Sequence, residues 1–138
     1  MGLYLCVFDE YGEDICGVEV GLYQYFTEFR QRVAVFVDSN RFSNKMPTLL
    51  QHLDCDGSWS VSDCKTLIHE LTEIKTVFQQ EPPLKEIQNL KEDIFKFYGI
   101  TPQNLYECFV DTDCEFLLDR LLELCNCAIN KNQAIQFQ

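Results

Sequence analysis

Residues 49–63 read L-L-Q-H-L-D-C-D-G-S-W-S-V-S-D and mark the point where an apolar run gives way to the most regular helix of the chain. Asp56-Gly57 is a turn dipeptide, because glycine adopts positive φ at no steric cost and aspartate bonds its own backbone two residues on. Ser60 precedes Asp63 by three residues, which is the spacing of a capping box. The stretch therefore predicts a strand, a turn and then the start of a helix.

The same stretch also matches the pattern of a calcium-binding loop. The residues at EF-hand positions are His52, Asp54, Asp56, Gly57, Ser58, Ser60 and Asp63. Histidine is a poor ligand for a hard cation, and a final aspartate reaches less far than the bidentate glutamate of such loops. We therefore favour the turn and cap. The alternative is a metal- or calcium-binding regulatory module that uses His52, Asp54, Asp56 and Asp63.

The length and composition of the chain indicate one globular domain covering residues 1–138. No apolar run approaches the roughly 18 residues that a membrane-spanning helix needs. The N-terminus also lacks the basic region and small-residue cleavage site of a signal peptide. We therefore expect a cytoplasmic protein.

Apolar periodicity predicts nine elements in the order β-β-α-β-α-α-β-α-β. Strands are expected at 2–9, 17–22, 48–53, 106–110 and 134–137. Helices are expected at 22–37, 84–98 and about 114–130, and a further helix runs from the Ser60 cap to residues 81–83, which stop it. The spacing of Thr112 and Glu115 predicts a second capping box before the last helix. This order indicates an α+β fold in which a mixed sheet of about five strands packs against about four helices.

Eight cysteines occur in the chain. Most lie inside apolar periodic runs, where a thiol behaves as a small hydrophobic group. No C-x-x-C pair is present, and Cys125 and Cys127 point to different faces of one predicted helix. Because we also expect no export, the pattern favours free thiols in the core over a disulfide framework or a metal site.

The charge balance is strongly acidic, with 22 acidic and 11 basic residues and a formal net charge of −11. Six acids precede the first basic residue, Arg30. Such a field repels nucleic acid and anionic membranes, so we expect neither as a partner. It favours a basic protein partner. Solubility alone also explains an acidic surface, so charge does not decide between these interpretations.

Sequence signatures of catalysis are missing. The chain contains no phosphate loop, dinucleotide fingerprint, nucleophile elbow or H-E-x-x-H motif. A small hydrolase with a thiol nucleophile could use Cys55 beside His52, but nothing marks a group that orients the imidazole or an oxyanion hole. Asp54 and Asp56 flank a single residue in a glycine turn and are better explained as turn residues. We therefore expect a binding protein without a cofactor, not an enzyme.

Segments along the whole chain carry a family resemblance. They are M-G-L-Y-L-C-V-F-D at 1–9, G-V-E-V-G at 17–21, Phe26 and Phe29-Arg30, R-F at 41–42, P-T-L at 47–49, H-x-D-C-D-G-x-W at 52–59, N-L-Y-E-C-F-V-D at 104–111, L-L-x-R-L-L-x-L-C at 117–125 and the terminal I-x-F-Q. In this order they resemble the immunity protein 70 family of bacterial polymorphic-toxin systems. Residues 83–102 are the least distinctive, and Leu53 replaces an expected small polar residue.

The resemblance implies a cytoplasmic immunity protein that binds a cognate toxin domain and blocks it. The resemblance implies no catalytic residues in this chain. Many such toxins are basic enzymes that act on nucleic acid, so an acidic inhibitor could occupy a phosphate-binding cleft.

We expect toxin contacts from acids and one aromatic residue that follow predicted strands. These are Glu10, Glu13, Asp14, Asp54, Asp56, Trp59, Asp111 and Asp113. They would share one rim of the sheet if the strands run parallel. Trp59 is either an interface anchor or a hydrophobic plug over the helix that follows it.

Overall fold

The computed structural model describes residues 2–37, 47–50 and 57–138. In these ranges the elements are β1 (Gly2–Phe8), β2 (Asp14–Leu22), α1 (Tyr23–Phe36), α2 (Pro47–Leu50), β3 (Ser58–Trp59), α3 (Val61–Gln79), α4 (Lys85–Leu90), α5 (Glu92–Tyr98), α6 (Leu105–Cys108), α7 (Leu117–Lys131) and β4 (Ile135–Phe137). The predicted α+β class is confirmed. None of the helices within the described ranges is long and apolar enough to cross a membrane.

The sheet has the strand order β2-β1-β4-β3 among the described residues, and each neighbouring pair is antiparallel. β1 lies between β2 and β4, which explains why it is apolar at nearly every position. β1 and β2 form an antiparallel hairpin. The longest helices, α3 and α7, pack on each other, and α7 also contacts β2.

The strand predicted at 48–53 is wrong over its described part, because Pro47–Leu50 form the short helix α2. Glu70 of α3 accepts hydrogen bonds from the backbone N–H groups of Thr48 (3.2 Å) and Leu49 (3.0 Å). Arg30 of α1 donates to the Leu50 carbonyl at 2.9 Å. An acid at the N-terminus and a base at the C-terminus of a helix both stabilise its dipole. The third strand instead follows the turn, at Ser58–Trp59.

The strand predicted at 106–110 is also wrong, because α6 occupies 105–108. Asn104 caps this helix by accepting from the Glu107 N–H at 2.9 Å. The buried Tyr25 hydroxyl donates to the Cys108 carbonyl (2.6 Å) and accepts from the Val110 N–H (2.9 Å). These bonds occupy backbone groups that a strand would use in its ladder. Only an isolated bridge to Phe116 remains at Val110.

The second predicted capping box, Thr112 with Glu115, does not form. The Asp111 carboxylate accepts from the backbone N–H groups of Asp113 (2.9 Å) and Glu115 (3.0 Å). Cys114 adopts a positive φ of 62°. Helix α7 therefore begins later than predicted, at Leu117.

The helix predicted at 84–98 is interrupted at Lys91, where φ is −124° and ψ is 29°. The segment forms two short helices instead, α4 before Lys91 and α5 after it. Gly99 ends α5 in the left-handed conformation.

One cysteine pair departs from the prediction of free thiols, since Cys16 of β2 and Cys127 of α7 form a disulfide. The sequence separation of 111 residues leaves no local pattern that would predict it. Cys125 is buried in the core, whereas Cys127 is bonded to Cys16 of β2, so the predicted divergence of Cys125 and Cys127 is correct. Free buried thiols are confirmed at Cys6, Cys64, Cys108, Cys114 and Cys125.

Candidate functional site

The tip of the β1–β2 hairpin has a defined shape because Asp9 organises it. The Asp9 carboxylate accepts hydrogen bonds from the N–H groups of Tyr11 (2.8 Å) and Glu13 (3.0 Å). The Asp9 N–H also donates to the Glu13 carbonyl at 2.8 Å. Gly12 supplies the positive φ (82°) that closes the turn. Residues 10–13 are therefore presented as a short, ordered loop.

This tip exposes acidic and apolar groups together. Glu10, Glu13 and Asp14 are exposed, and the Tyr11 side chain is 83% exposed. Asp14 accepts a hydrogen bond from the Tyr4 hydroxyl at 2.8 Å, and this bond raises the pKa of Tyr4 to about 12. We call residues 10–14 the acidic hairpin. All three acids that the sequence suggested here are available to a partner.

Asp111 and Asp113 occupy different environments. Asp113 is exposed. Asp111 is only 2% exposed and also receives a hydrogen bond from Arg120 Nε at 3.2 Å. Its position fits a structural role within the protein rather than direct contact with a partner.

Trp59 is buried, with 1% of its surface exposed. Its indole N–H donates to the Thr48 carbonyl at 3.3 Å, and its ring meets Phe137 edge-on at 4.8 Å. Helix α3 begins two residues later, so this placement matches the plug over the helix rather than an exposed anchor.

The metal interpretation involves four residues, of which the structure describes one. The Asp63 carboxylate accepts from the Ser60 N–H, and the Ser60 hydroxyl accepts from the Asp63 N–H, both at 3.0 Å. The predicted capping box is thus confirmed, and Asp63 is used by it. His52, Asp54 and Asp56 lie outside the described residues. Across 2–37, 47–50 and 57–138, no group of histidine, cysteine and acidic residues could hold a metal ion.

The sequence suggested a common rim for the candidate residues on the condition that the strands run parallel. β1 and β3 are each antiparallel to β4, so they run in the same direction. The acidic hairpin follows β1, and Asp54 and Asp56 lie outside the described residues. Neighbouring strands of the sheet are antiparallel. The condition for a common rim, parallel strands, is therefore not met among the described residues, and the rim itself stays a prediction.

A cleft that the sequence did not suggest lies at the far end of β2 from the acidic hairpin. It has a volume of about 340 Å³ and separates the β2–α1 junction from the break between α4 and α5. Leu22, Tyr25, Leu90, Asp93 and Ile94 are among its lining residues. We call it the β2–α5 cleft.

Lys91 forms the floor of the β2–α5 cleft and is 7% exposed. Its ammonium group donates to the carbonyls of Val20 (2.8 Å) and Val110 (3.2 Å) and lies 4.3 Å from the centre of the Tyr25 ring. Burial lowers the pKa of Lys91 to about 8, and the nearby Asp111 carboxylate partly opposes this shift. A lysine on the inner side of an apolar helix pattern was the one sequence signal for this feature.

Comparison with known proteins identifies a family. Residues 3–137 match the family model described as Immunity protein 70. Neither the curated proteins nor the solved structures contain a significant match to the chain. The match covers nearly every residue of the chain, including the strands, the helices and the segment 83–102 that carries the weakest resemblance. The chain therefore belongs to the immunity protein 70 family.

Proposed function

We propose that this protein binds a cognate bacterial toxin domain in the cytoplasm and neutralises it, without catalysing a reaction of its own. The observation that carries the proposal is the family match over residues 3–137. The arrangement of the acidic residues supports a direct protein–protein contact. We assign the first part of that contact to the acidic hairpin.

The acidic hairpin suits a basic partner for two reasons. Its carboxylates are exposed on a chain with a net charge of −11, so their field extends into solvent and accelerates encounter with a cationic surface. Its backbone is held by Asp9, so little conformational entropy is lost when it binds. A toxin that acts on nucleic acid would offer a basic cleft of this kind.

The remaining candidates contribute unequally to this proposal. Asp113 is exposed and can join the contact. Asp111 and Trp59 are buried, so we assign them to the support of the fold rather than to the interface. Asp54 and Asp56 stay predicted contacts, since they lie outside the described residues.

The test is a pull-down from a lysate of the producing strain with this protein as bait, at low and at high salt. We expect one stoichiometric partner that carries a toxin-like domain and is released by salt. The purified domain should then lose its toxicity in cells that co-express this protein. The absence of such a partner under both conditions would contradict the proposal. A partner whose association rate is insensitive to salt would contradict its electrostatic part.

A further inference from the structure

The β2–α5 cleft carries exposed apolar side chains at its mouth. Leu22, at the end of β2, is 58% exposed, and Leu90, at the end of α4, is 37% exposed. Phe97 does not line the cleft, but it lies one helical turn beyond Asp93 on α5 and is 81% exposed. A single exposed leucine needs no explanation, but two at the mouth of one concave site, with an exposed phenylalanine on an adjoining helix, are typical of a protein-binding surface.

The floor of the cleft is preformed. Lys91 is fixed by two backbone carbonyls and the Tyr25 ring, as described above. Gly21 has a φ of 99°, and a Cβ atom there would lie 3.2 Å from the Lys91 ammonium. Glycine is therefore required where β2 passes over the lysine. Because Lys91 is bonded to the backbone beneath the cleft, the apolar side chains at the mouth keep their spacing before a partner binds.

The charges around the cleft limit what can occupy it. Glu92 and Asp93 line it and are exposed, and Glu92 pairs with Lys96 at 2.9 Å. Lys91 does not offset them at the surface, since its ammonium is directed to Val20 and Val110. A second copy of the chain would bring another net charge of −11 to this site, and nucleic acid or an anionic membrane would be repelled as well. Charge complementarity therefore favours a basic protein segment.

We infer that the β2–α5 cleft receives an apolar side chain of the cognate toxin, with a neighbouring lysine or arginine placed against Asp93. This inference rests on the proposed function and adds the chemistry of the toxin surface. It also separates two tasks, because the acidic hairpin speeds the encounter and the cleft holds the bound partner.

The distance between the two sites is compatible with one partner. They lie at opposite ends of β2, which has nine residues, so about 30 Å separates them at about 3.3 Å per residue. A standard interface of about 800 Å² per partner is roughly that wide. One toxin domain can therefore contact both ends of the strand.

The test compares variants against the toxin domain identified by the pull-down, purified and measured by surface plasmon resonance. We expect the double variant Leu22→Ser/Leu90→Ser to bind roughly tenfold or more weakly, through faster dissociation, as for truncated interface anchors. Phe97→Ser, which cannot disturb the core, should act in the same direction. Asp93→Lys should weaken binding most at low salt. Val35→Ser is the matched control, because Val35 is 55% exposed on α1 and does not line the cleft.

The outcomes separate this inference from the proposed function. If the wild-type protein binds the toxin domain and the cleft variants bind it equally well, the inference is wrong and the proposed function stands. If the wild-type protein binds no toxin domain, the proposed function itself fails. If light scattering finds a wild-type dimer that Leu22→Ser/Leu90→Ser dissociates, the cleft joins two copies of the chain and the inference is overturned.

Discussion

The Asp111 carboxylate holds the Arg120 guanidinium against the outer edge of strand β2. Arg120 Nε lies 3.2 Å from Asp111 Oδ2, and a terminal nitrogen of the same guanidinium donates to the Gly17 carbonyl at 2.9 Å. The neighbouring Thr112 N–H donates to the Glu19 carbonyl at 3.0 Å. Unpaired edge strands invite association with other chains. Thr112 and the Arg120 side chain that Asp111 holds thus provide hydrogen bonds to an edge of β2 that would otherwise be unpaired.

Substitution Asp111→Asn should destabilise the protein. The amide would turn a donor toward Arg120 or give up one of its two backbone N–H bonds, and the guanidinium would lose its buried counter-charge. We expect the free energy of unfolding to fall by about 2–4 kcal/mol. The measurement is urea unfolding followed by Trp59 fluorescence. Asp113→Asn is the matched control, since an exposed substitution should stay within about 0.5 kcal/mol. Equal stability of the two variants would contradict the role of Asp111.

Elements governed by local sequence could be predicted, and elements held by distant side chains could not. The capping box of Ser60 and Asp63 needs only three residues of separation, and it was found. The described part of the strand expected at 48–53 is helical, because Glu70, about twenty residues on, bonds the backbone of Thr48 and Leu49. The strand expected at 106–110 is displaced by Tyr25, more than eighty residues before it. No local window contains such information.

The candidate site divides in the same way. The acids of the acidic hairpin could be singled out as a group because they lie close together in the sequence. The cleft was missed because Leu22 and Leu90 come from distant parts of the chain and meet only after folding. Trp59 had two interpretations of equal weight, and its burial against Phe137 favours the plug. The sequence indicates composition and the shape of local segments, whereas a concave surface such as the β2–α5 cleft arises from tertiary packing.

Loss of the Cys16–Cys127 disulfide should lower stability substantially. A cross-link over 111 residues removes chain entropy worth up to about 5 kcal/mol from the unfolded state. We expect the Cys16→Ser/Cys127→Ser variant to unfold at a lower urea concentration than oxidised wild-type protein. A reductant should shift wild-type protein to the same midpoint and leave the double variant unchanged. An unchanged wild-type midpoint on reduction would show that the bond does not contribute.

The buried ammonium of Lys91 should produce a rise in stability at alkaline pH. Burial lowers its native pKa to about 8, from the ordinary lysine value of 10.5. Between these values the unfolded chain binds more protons than the native protein, so the free energy of unfolding increases with pH. Below about pH 8 both states are protonated, and this contribution is level. Other groups also contribute to the pH dependence of stability, so the quantity to measure is the difference in unfolding free energy between wild-type protein and Lys91→Met. We expect this difference to grow in favour of wild-type protein from pH 8 to 9.5. A constant difference would contradict a lowered pKa at Lys91.

Neutralising the acidic hairpin should slow association with the toxin and leave dissociation nearly unchanged. The variant Glu10→Gln/Glu13→Gln keeps the turn, because Asp9 supplies its side-chain hydrogen bonds, and removes two exposed charges. Long-range attraction acts mainly on the encounter rate, so we expect a several-fold lower association rate at low salt that converges with the wild-type rate at high salt. Stopped-flow mixing with the purified toxin domain measures the association rate and the dissociation rate. Glu73→Gln/Glu115→Gln removes the same charge from exposed positions on α3 and before α7, and it separates a local effect from the loss of net charge. If both double variants slow association equally, the net negative charge of the whole chain attracts the partner, and the acidic hairpin contributes no more than other exposed acids.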